Sequence, residues 1–334
     1  MQKRSFKVGK NGNGDLEKAD RSAAFAQLRT KQGRREFLRG LGFGAAGAAT
    51  LGGIGLASTT PARAADIDAE ILTFALNLEY LEAEFYSLAV TGQKLPANEI
   101  GPNPGPTTGG NKVRFENPHV AALALELQTE ETKHVLFLQA ALTAATGSFV
   151  SKPAVDFHSS FPTLGVAAGL GTGFDPFASD NNFLLGAFVF EDVGVTAYHG
   201  AAPLITSSVY LDKAAGILAA EAYHAGAIRM LLFNRGMEIE TMKIANLQAT
   251  LDGTINTTNV DDAGVGNFAM PRIALLSNQL NGNTLLGGFP SNSPPGNNAI
   301  AFDRTTRQVL NIVYGAPNAS SGLFFPDGLN GPIH

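Results

Sequence analysis

Two stretches of the chain pair an oxygen donor with a nitrogen donor three positions later: Glu131-Thr132-Lys133-His134 and Glu221-Ala222-Tyr223-His224. On a helix this spacing puts both side chains on one face, where a carboxylate and an imidazole can reach one metal ion. Positions 65–334 hold 13 Glu and 6 His, from which chance would draw roughly 0.3 such pairs. Three occur. The third, Glu116-Asn117-Pro118-His119, is interrupted by Pro118, which disfavours a helical Asn117, so its two side chains need not share a face. His119 is read as a first-turn residue that binds nothing.

The two intact pairs need helices to carry them. Apolar periodicity predicts four long helices over roughly 66–91, 117–146, 180–206 and 209–236. Asp66 or Asp68 can cap the first, Asn117-Pro118 opens the second and Asp180 can cap the third. A Gly/Pro-rich loop centred on Gly101–Pro106 joins the first two, a long crossover from Gly147 to Asp180 follows, and a tight connection near Pro203–Ser208 joins the last two. The pattern predicts an all-α, up-down four-helix bundle with a long crossover between helices 2 and 3. Shorter helices are predicted over 240–251 and 303–314, within an Asn/Gly/Pro-rich C-terminal extension that carries enough Phe (Phe289, Phe302, Phe324, Phe325) to dock on the bundle. The chain divides on this reading into a leader (1–64), a bundle (65–237) and an extension (238–334).

Stepping along each helix by four and three residues gives stripes that are apolar except near one level. There the first helix offers Glu79, the second Glu131 and His134, the third Glu191, and the fourth Glu221 and His224. Reflection through the loops supports a common height: Glu79 and Glu131 are centred on position 105, Glu191 and Glu221 on position 206. Glu79 with Tyr86 matches Glu191 with Tyr198, each seven apart, so the two hairpins read as a duplication. One buried carboxylate costs several kcal/mol or takes up a proton, and four at one level repel as well. Two divalent cations, with two neutral imidazoles completing the ligand set, would compensate. The competing reading is a metal-free buried polar network.

Neighbouring residues receive lesser roles. Glu82 is an alternative or supporting carboxylate, displaced by Ala83 from the stripe. Glu131 is preferred to Glu130 because it matches Glu221. Asp192 should point to solvent or another helix, and His199 is read as a satisfied core or interface histidine. Tyr86 and Tyr198 flank the centre and could hydrogen-bond its ligands.

This constellation is similar to that of the ferritin-like di-metal carboxylate proteins, whose signature is one Glu from each of two helices and one Glu-x-x-His from each of the other two. More narrowly, Asn77-Leu78-Glu79-Tyr80-Leu81-Glu82-Ala83-Glu84-Phe85-Tyr86, with Phe324-Phe325-Pro326 near the end, resembles the ferritin-like domain family that includes the desiccation-related proteins of plants and bacteria. The resemblance implies a carboxylate-bridged dinuclear site in which Glu131 and Glu221 bridge, Glu79 and Glu191 are terminal, and His134 and His224 supply nitrogen. It implies two iron ions, with manganese as the alternative, and redox chemistry with dioxygen or peroxide, of ferroxidase, peroxidase or catalase type. Stress or desiccation protection follows at the family level. A non-catalytic protein with structural metal, or with none, is the reading from a different class.

Composition narrows the chemistry further. The absence of cysteine excludes disulfides, thiolate zinc sites, Cys-ligated iron-sulphur clusters and thiolate electron relays. The net charge of -5 averages a leader of 12 basic and 4 acidic residues with a remainder of 12 basic and 25 acidic, which shows no basic patch for nucleic acid. In the leader, Arg34-Arg35-Glu36-Phe37-Leu38 precedes a Gly/Ala-rich apolar run and an Ala62-Arg63-Ala64 cleavage pattern, which resembles a twin-arginine export signal. That predicts a periplasmic or secreted protein without a membrane anchor after cleavage. A retained N-terminal anchor is the alternative, disfavoured by the Gly-rich run. Self-association into a homo-oligomer is left open.

Overall fold

The computed structural model describes residues 60–254, 262, 264–265, 283–284, 287–288 and 301–334, with side chains at 67–254, 262, 264–265 and 301–334. The twin-arginine motif, Phe289 and most of the Asn/Gly-rich segment 281–298 lie outside the described residues.

Helix α1 (Thr60–Thr91) starts ahead of the predicted boundary, so cleavage after Ala64 would fall in its first turns. Helix α2 (Pro118–Thr146) begins as the sequence predicts. The Asn117 side chain accepts from the backbone of His119 and Val120, Pro118 occupies the first turn, and Gly147 ends the helix at φ 85°. After the crossover come α4 (Asp180–Ala201), a single 3₁₀ turn (Ala202–Leu204) and α5 (Ser208–Asn234). α1 packs along α2 and α4 along α5, while α1 also touches α4 and α2 touches α5, closing a ring of four helices. No helix among the described residues is long and apolar enough to cross a membrane.

The crossover holds a helix that periodicity alone did not predict, α3 (Ser160–Ala168). With only nine residues and a central Gly165, it is too short to show an amphipathic repeat. A two-residue parallel pairing of β1 (Thr107–Thr108) with β2 (Val155–Asp156) ties the first loop to the crossover. Beneath it, buried Lys152 donates to Gly105 O and Thr107 Oγ1 at 2.9 Å each, and Thr107 donates to Glu84 at 2.6 Å. Buried Glu84 also accepts from Leu95 N at 2.9 Å, so one lysine and one glutamate satisfy the polar groups of three chain segments.

Helix α6 (Glu238–Leu251) and helix α7 (Thr306–Tyr314) carry the described part of the extension, and β3 (Asn283–Thr284) pairs antiparallel with β4 (Gly287–Gly288). α7 opens with a Thr305–Gln308 capping box and stops at Gly315. The extension docks through specific contacts. The Asn77 amide donates to Asn330 O at 2.8 Å and accepts from Asn330 N at 3.0 Å. Phe324 packs edge-on against Phe161 and Phe190, in an aromatic cluster centred on Phe85. As a result, α1 is buried on almost every side, which a bundle helix open to solvent would not be.

Arg304 is the second tether. It is 1% exposed and bonds Asp252 at 3.0 Å, Asp262 at 2.5 Å and Thr196 Oγ1 at 2.8 Å, while its backbone N–H donates to Thr196 O. Gly200 permits this approach, because a Cβ there would collide with the Arg304 carbonyl. Removing the guanidinium would strand two buried carboxylates, which typically costs about 3–5 kcal/mol. Arg304→Met is therefore expected to lower the unfolding free energy measured by urea denaturation by that order, and a value within error of wild type would refute the tether.

Candidate metal centre

The structure brings all six predicted residues together from four helices. They form two groups of four: Glu79, Glu131, His134 and Glu221, and Glu131, Glu191, Glu221 and His224. Within each group, one donor atom from every residue lies within 4.8 Å of the others. Glu131 and Glu221 belong to both groups. The four Glu and His224 are fully buried, whereas the His134 side chain is 13% exposed. His134 Nδ1 is 3.0 Å from Glu131 and 3.3 Å from Glu79; His224 Nδ1 is 2.9 Å from Glu131 and 3.2 Å from Glu191.

This donor set fits a pair of cations better than it fits itself. Both oxygens of Glu221, Glu79 Oε2 and Glu131 Oε1 are buried without a hydrogen bond among the described residues. Such orphans are rare in a folded interior and costly when charged. Protons supply the compensation in the metal-free chain. Burial pushes the Glu131 carboxyl up to about 7, and burial with the neighbouring Glu131 and Glu191 charges holds Glu221 well above the carboxylate range. Burial alone would depress both imidazoles, but the surrounding carboxylates overcome it, raising His134 to about 11 and His224 to about 12. Burial would also raise Glu79, yet the adjacent His134 imidazolium together with hydrogen bonds to His134, Glu131 and Tyr198 outweighs it and lowers the carboxyl. Oxygen and imidazole donors of this kind suit iron or manganese.

A family model described as a ferritin-like domain matches residues 67–234, about half of the chain. The chain belongs to the ferritin-like family. Across 278 residues it is 30% identical to the desiccation-related protein PCC13-62 of Craterostigma plantagineum, covering 79% of this chain and 83% of that protein. It is 27% identical over 281 residues to the ferritin-like catalase Nec2 of Nesocodon mauritianus, covering 80% and 85%. No solved structure matches the chain significantly.

Around the six residues, this ferritin-like bundle adds a shell that crosses between the hairpins. Tyr86 on α1 donates to Glu191 on α4 at 2.5 Å, and Tyr198 on α4 donates to Glu79 on α1. Each tyrosine thus holds, on the opposite hairpin, a carboxylate that belongs to only one of the two donor groups. Glu130 matters more than its sequence suggested, since its Oε2 lies 2.8 Å from His224 Nε2 and fixes the ring with Nδ1 toward the carboxylates. Two positions differ by one on the helix, so Glu131 faces inward and Glu130 reaches the partner helix. Asp192 finds another helix, pairing with Arg229 of α5 at 2.5 Å. His199 meets Phe302 O at 3.1 Å, as a satisfied interface histidine does. Glu116 and His119 are exposed and away from the cluster.

Glu82 requires a correction. It is 6% exposed and directed at the centre, while Ala83 packs with Leu72, Leu76 and Tyr80 against α2. The inward strip of α1 is therefore Glu79, Glu82, Tyr86, and in the duplicated hairpin the equivalent strip is Glu191, Gly194, Tyr198. Gly194 has ordinary helical backbone, where glycine is roughly 1 kcal/mol worse than alanine, so space must explain it. A Cβ there would collide with the Glu221 carboxylate and lie 3.4 Å from Glu82 Oε1. Gly194→Ala is expected to weaken metal retention despite its better helix propensity, measured as ions kept through gel filtration; undiminished retention would refute the steric account.

Protonation sets a further expectation. Metal ligation needs neutral imidazole and ionised carboxylate, so ions must displace the protons that His134, His224, Glu131 and Glu221 hold in the metal-free chain. Apparent affinity should rise from about pH 6 to about pH 8, with about two or more protons released per pair of ions. Calorimetry in buffers of different ionisation enthalpy measures that number, and a pH-independent affinity would contradict it.

Proposed function

We propose that this ferritin-like protein is exported by the twin-arginine route and holds two redox ions, iron first and manganese as the alternative, for chemistry on peroxide or dioxygen. The observation that carries the reading is the sharing of Glu131 and Glu221 by two otherwise separate donor groups. Two mononuclear sites would not need common carboxylates, whereas a bridged pair does. The likeness to a protein named as a ferritin-like catalase favours peroxide, and the leader's Arg34-Arg35 motif favours export of an already folded, metal-loaded chain.

Two adjacent redox ions would supply a two-electron couple, the part of the chemistry that side chains cannot perform. The chain's own residues do the rest. Glu131 and Glu221, common to both donor groups, would serve both ions, while Glu79 with His134, and Glu191 with His224, would each complete the donor set of one. Glu130 accepts the Nε2 proton of His224, leaving Nδ1 free to ligate. The tyrosine hydroxyls restrain the terminal carboxylates. Burial excludes bulk water, which strengthens every interaction of the charged ligands.

The second reading is a desiccation-related protein in which metal serves stability alone, favoured by the likeness to PCC13-62. Metal analysis after anaerobic loading with Fe(II) or Mn(II) separates the outcomes. About two ions per chain are expected, lost in Glu131→Ala and in His224→Ala, together with peroxide or dioxygen consumption by the loaded wild type. Folded protein that takes up no metal would refute the centre. Metal uptake without consumption of either oxidant would select the stability reading.

A further inference from the structure

The duplication of the two hairpins is broken at one inward position. Where α1 carries Glu82, α4 carries Gly194, and both residues line a cleft between these helices. The rest of its wall is apolar: Leu78 and Leu81 of α1, Val189, Phe190 and Val193 of α4, and Ile312, Val313 and Phe324 of the extension. It leaves space for a water-sized molecule, too little for an organic substrate. The inner end of the cleft abuts the centre, because Gly194 in its wall lies directly against the Glu221 carboxylate and close to Glu82 Oε1. Glu82 is 6% exposed, whereas Glu79, Glu131, Glu191 and Glu221 are fully buried. The cluster's other opening is at His134, on the opposite pair of helices.

The geometry points to this cleft as the inlet through which hydrogen peroxide reaches the centre, with Glu82 as the polar group that receives it at the inner end. This rests on the dinuclear reading above and assigns a task to the extension, which builds the outer wall. An apolar throat admits a small neutral molecule and repels hydrated ions. A single carboxyl at its end offers the hydrogen bond that peroxide requires and dioxygen does not. A second cleft between α1, α4 and α5 is lined by Ile71, Leu72, Ala197, Ile205 and Ala214 and ends on the Tyr198 ring without a carboxylate, so it lacks this feature.

Azide, which can cross an apolar throat as its neutral conjugate acid and donate a hydrogen bond there, is a small probe of open metal positions, and its association with the metal-loaded protein can be followed by stopped-flow absorbance. Val313→Phe, which narrows the throat, should slow association by about tenfold or more while two ions are retained. Ile312→Phe, on the same wall, serves where Val313→Phe does not fold. Glu82→Leu should slow association by a similar factor, about the worth of one hydrogen bond to a charged or polar group. Glu82→Gln, which keeps that hydrogen bond, should remain within about threefold of wild type. Ala197→Phe, in the second cleft, should leave the rate unchanged. The inlet is overturned if the Val313 and Ile312 variants associate as wild type does, or if Ala197→Phe is the one that slows. The role of Glu82 is overturned if Glu82→Leu matches wild type, or if it loses metal, which would make Glu82 a ligand. A wild type that holds no metal removes the centre and the inlet together; one that holds two ions but shows no throat dependence removes the inlet alone.

Discussion

Five carboxyl groups, Glu79, Glu82, Glu131, Glu191 and Glu221, share the interior of one bundle almost without water. Their mutual repulsion and lost hydration make an unfavourable electrostatic demand that positive charge must meet. In the metal-free chain the charge arrives as protons on two imidazoles and on some of the carboxyls. Cations do the same task with better geometry, because they can satisfy the orphaned oxygens that protons leave bare. Much of the surrounding architecture follows from this demand. Gly194 makes room for the carboxylates, Glu130 steers His224, and two tyrosines reach across to the opposite hairpin.

The second requirement is dryness. The attraction between the carboxylates and cations strengthens as the local dielectric falls. A four-helix bundle alone would leave one side of α1 open, and here that side is covered by the crossover and the extension. Asn77 grips Asn330, Arg304 is held by Asp252 and Asp262, and Phe324 completes an aromatic cluster against Phe161 and Phe190. The extension thereby links packing to function, since the residues that exclude bulk water also define the narrow gap beside Glu82. Lys152 and Glu84 form a separate buried pairing whose work is to satisfy loop backbone, not to bind metal.

Much of the bundle was legible because its signals are local. Asn117-Pro118 and Gly147 bound α2 as capping chemistry requires, and the spacing of Glu131 and Glu221 to their histidines survives any packing detail. What the sequence misplaces has a common cause. A single stripe along α1 favours Ala83 over Glu82, but α1 packs on α2 with Ala83 and on α4 with Leu81 and Phe85, leaving Glu82 in the inward strip between. In the sequence Glu130 yields to Glu131 because Glu131 matches Glu221, and no local spacing shows its partner, His224, which is 94 residues away. Helix α3 escaped because nine residues around a glycine carry no period.

By itself the sequence determined which residue types could meet the electrostatic demand and at what spacing along each helix, since helical geometry converts spacing into a shared face without reference to the rest of the fold. It also determined the pairing of heights, because a hairpin reflects positions through its loop. Tertiary structure alone decided which tyrosine holds which glutamate, that Glu130 reaches His224, and that Glu82 rather than Ala83 turns inward. Those outcomes depend on helix rotation and on the extension that covers α1, and rotation is set by contacts between residues far apart in the chain.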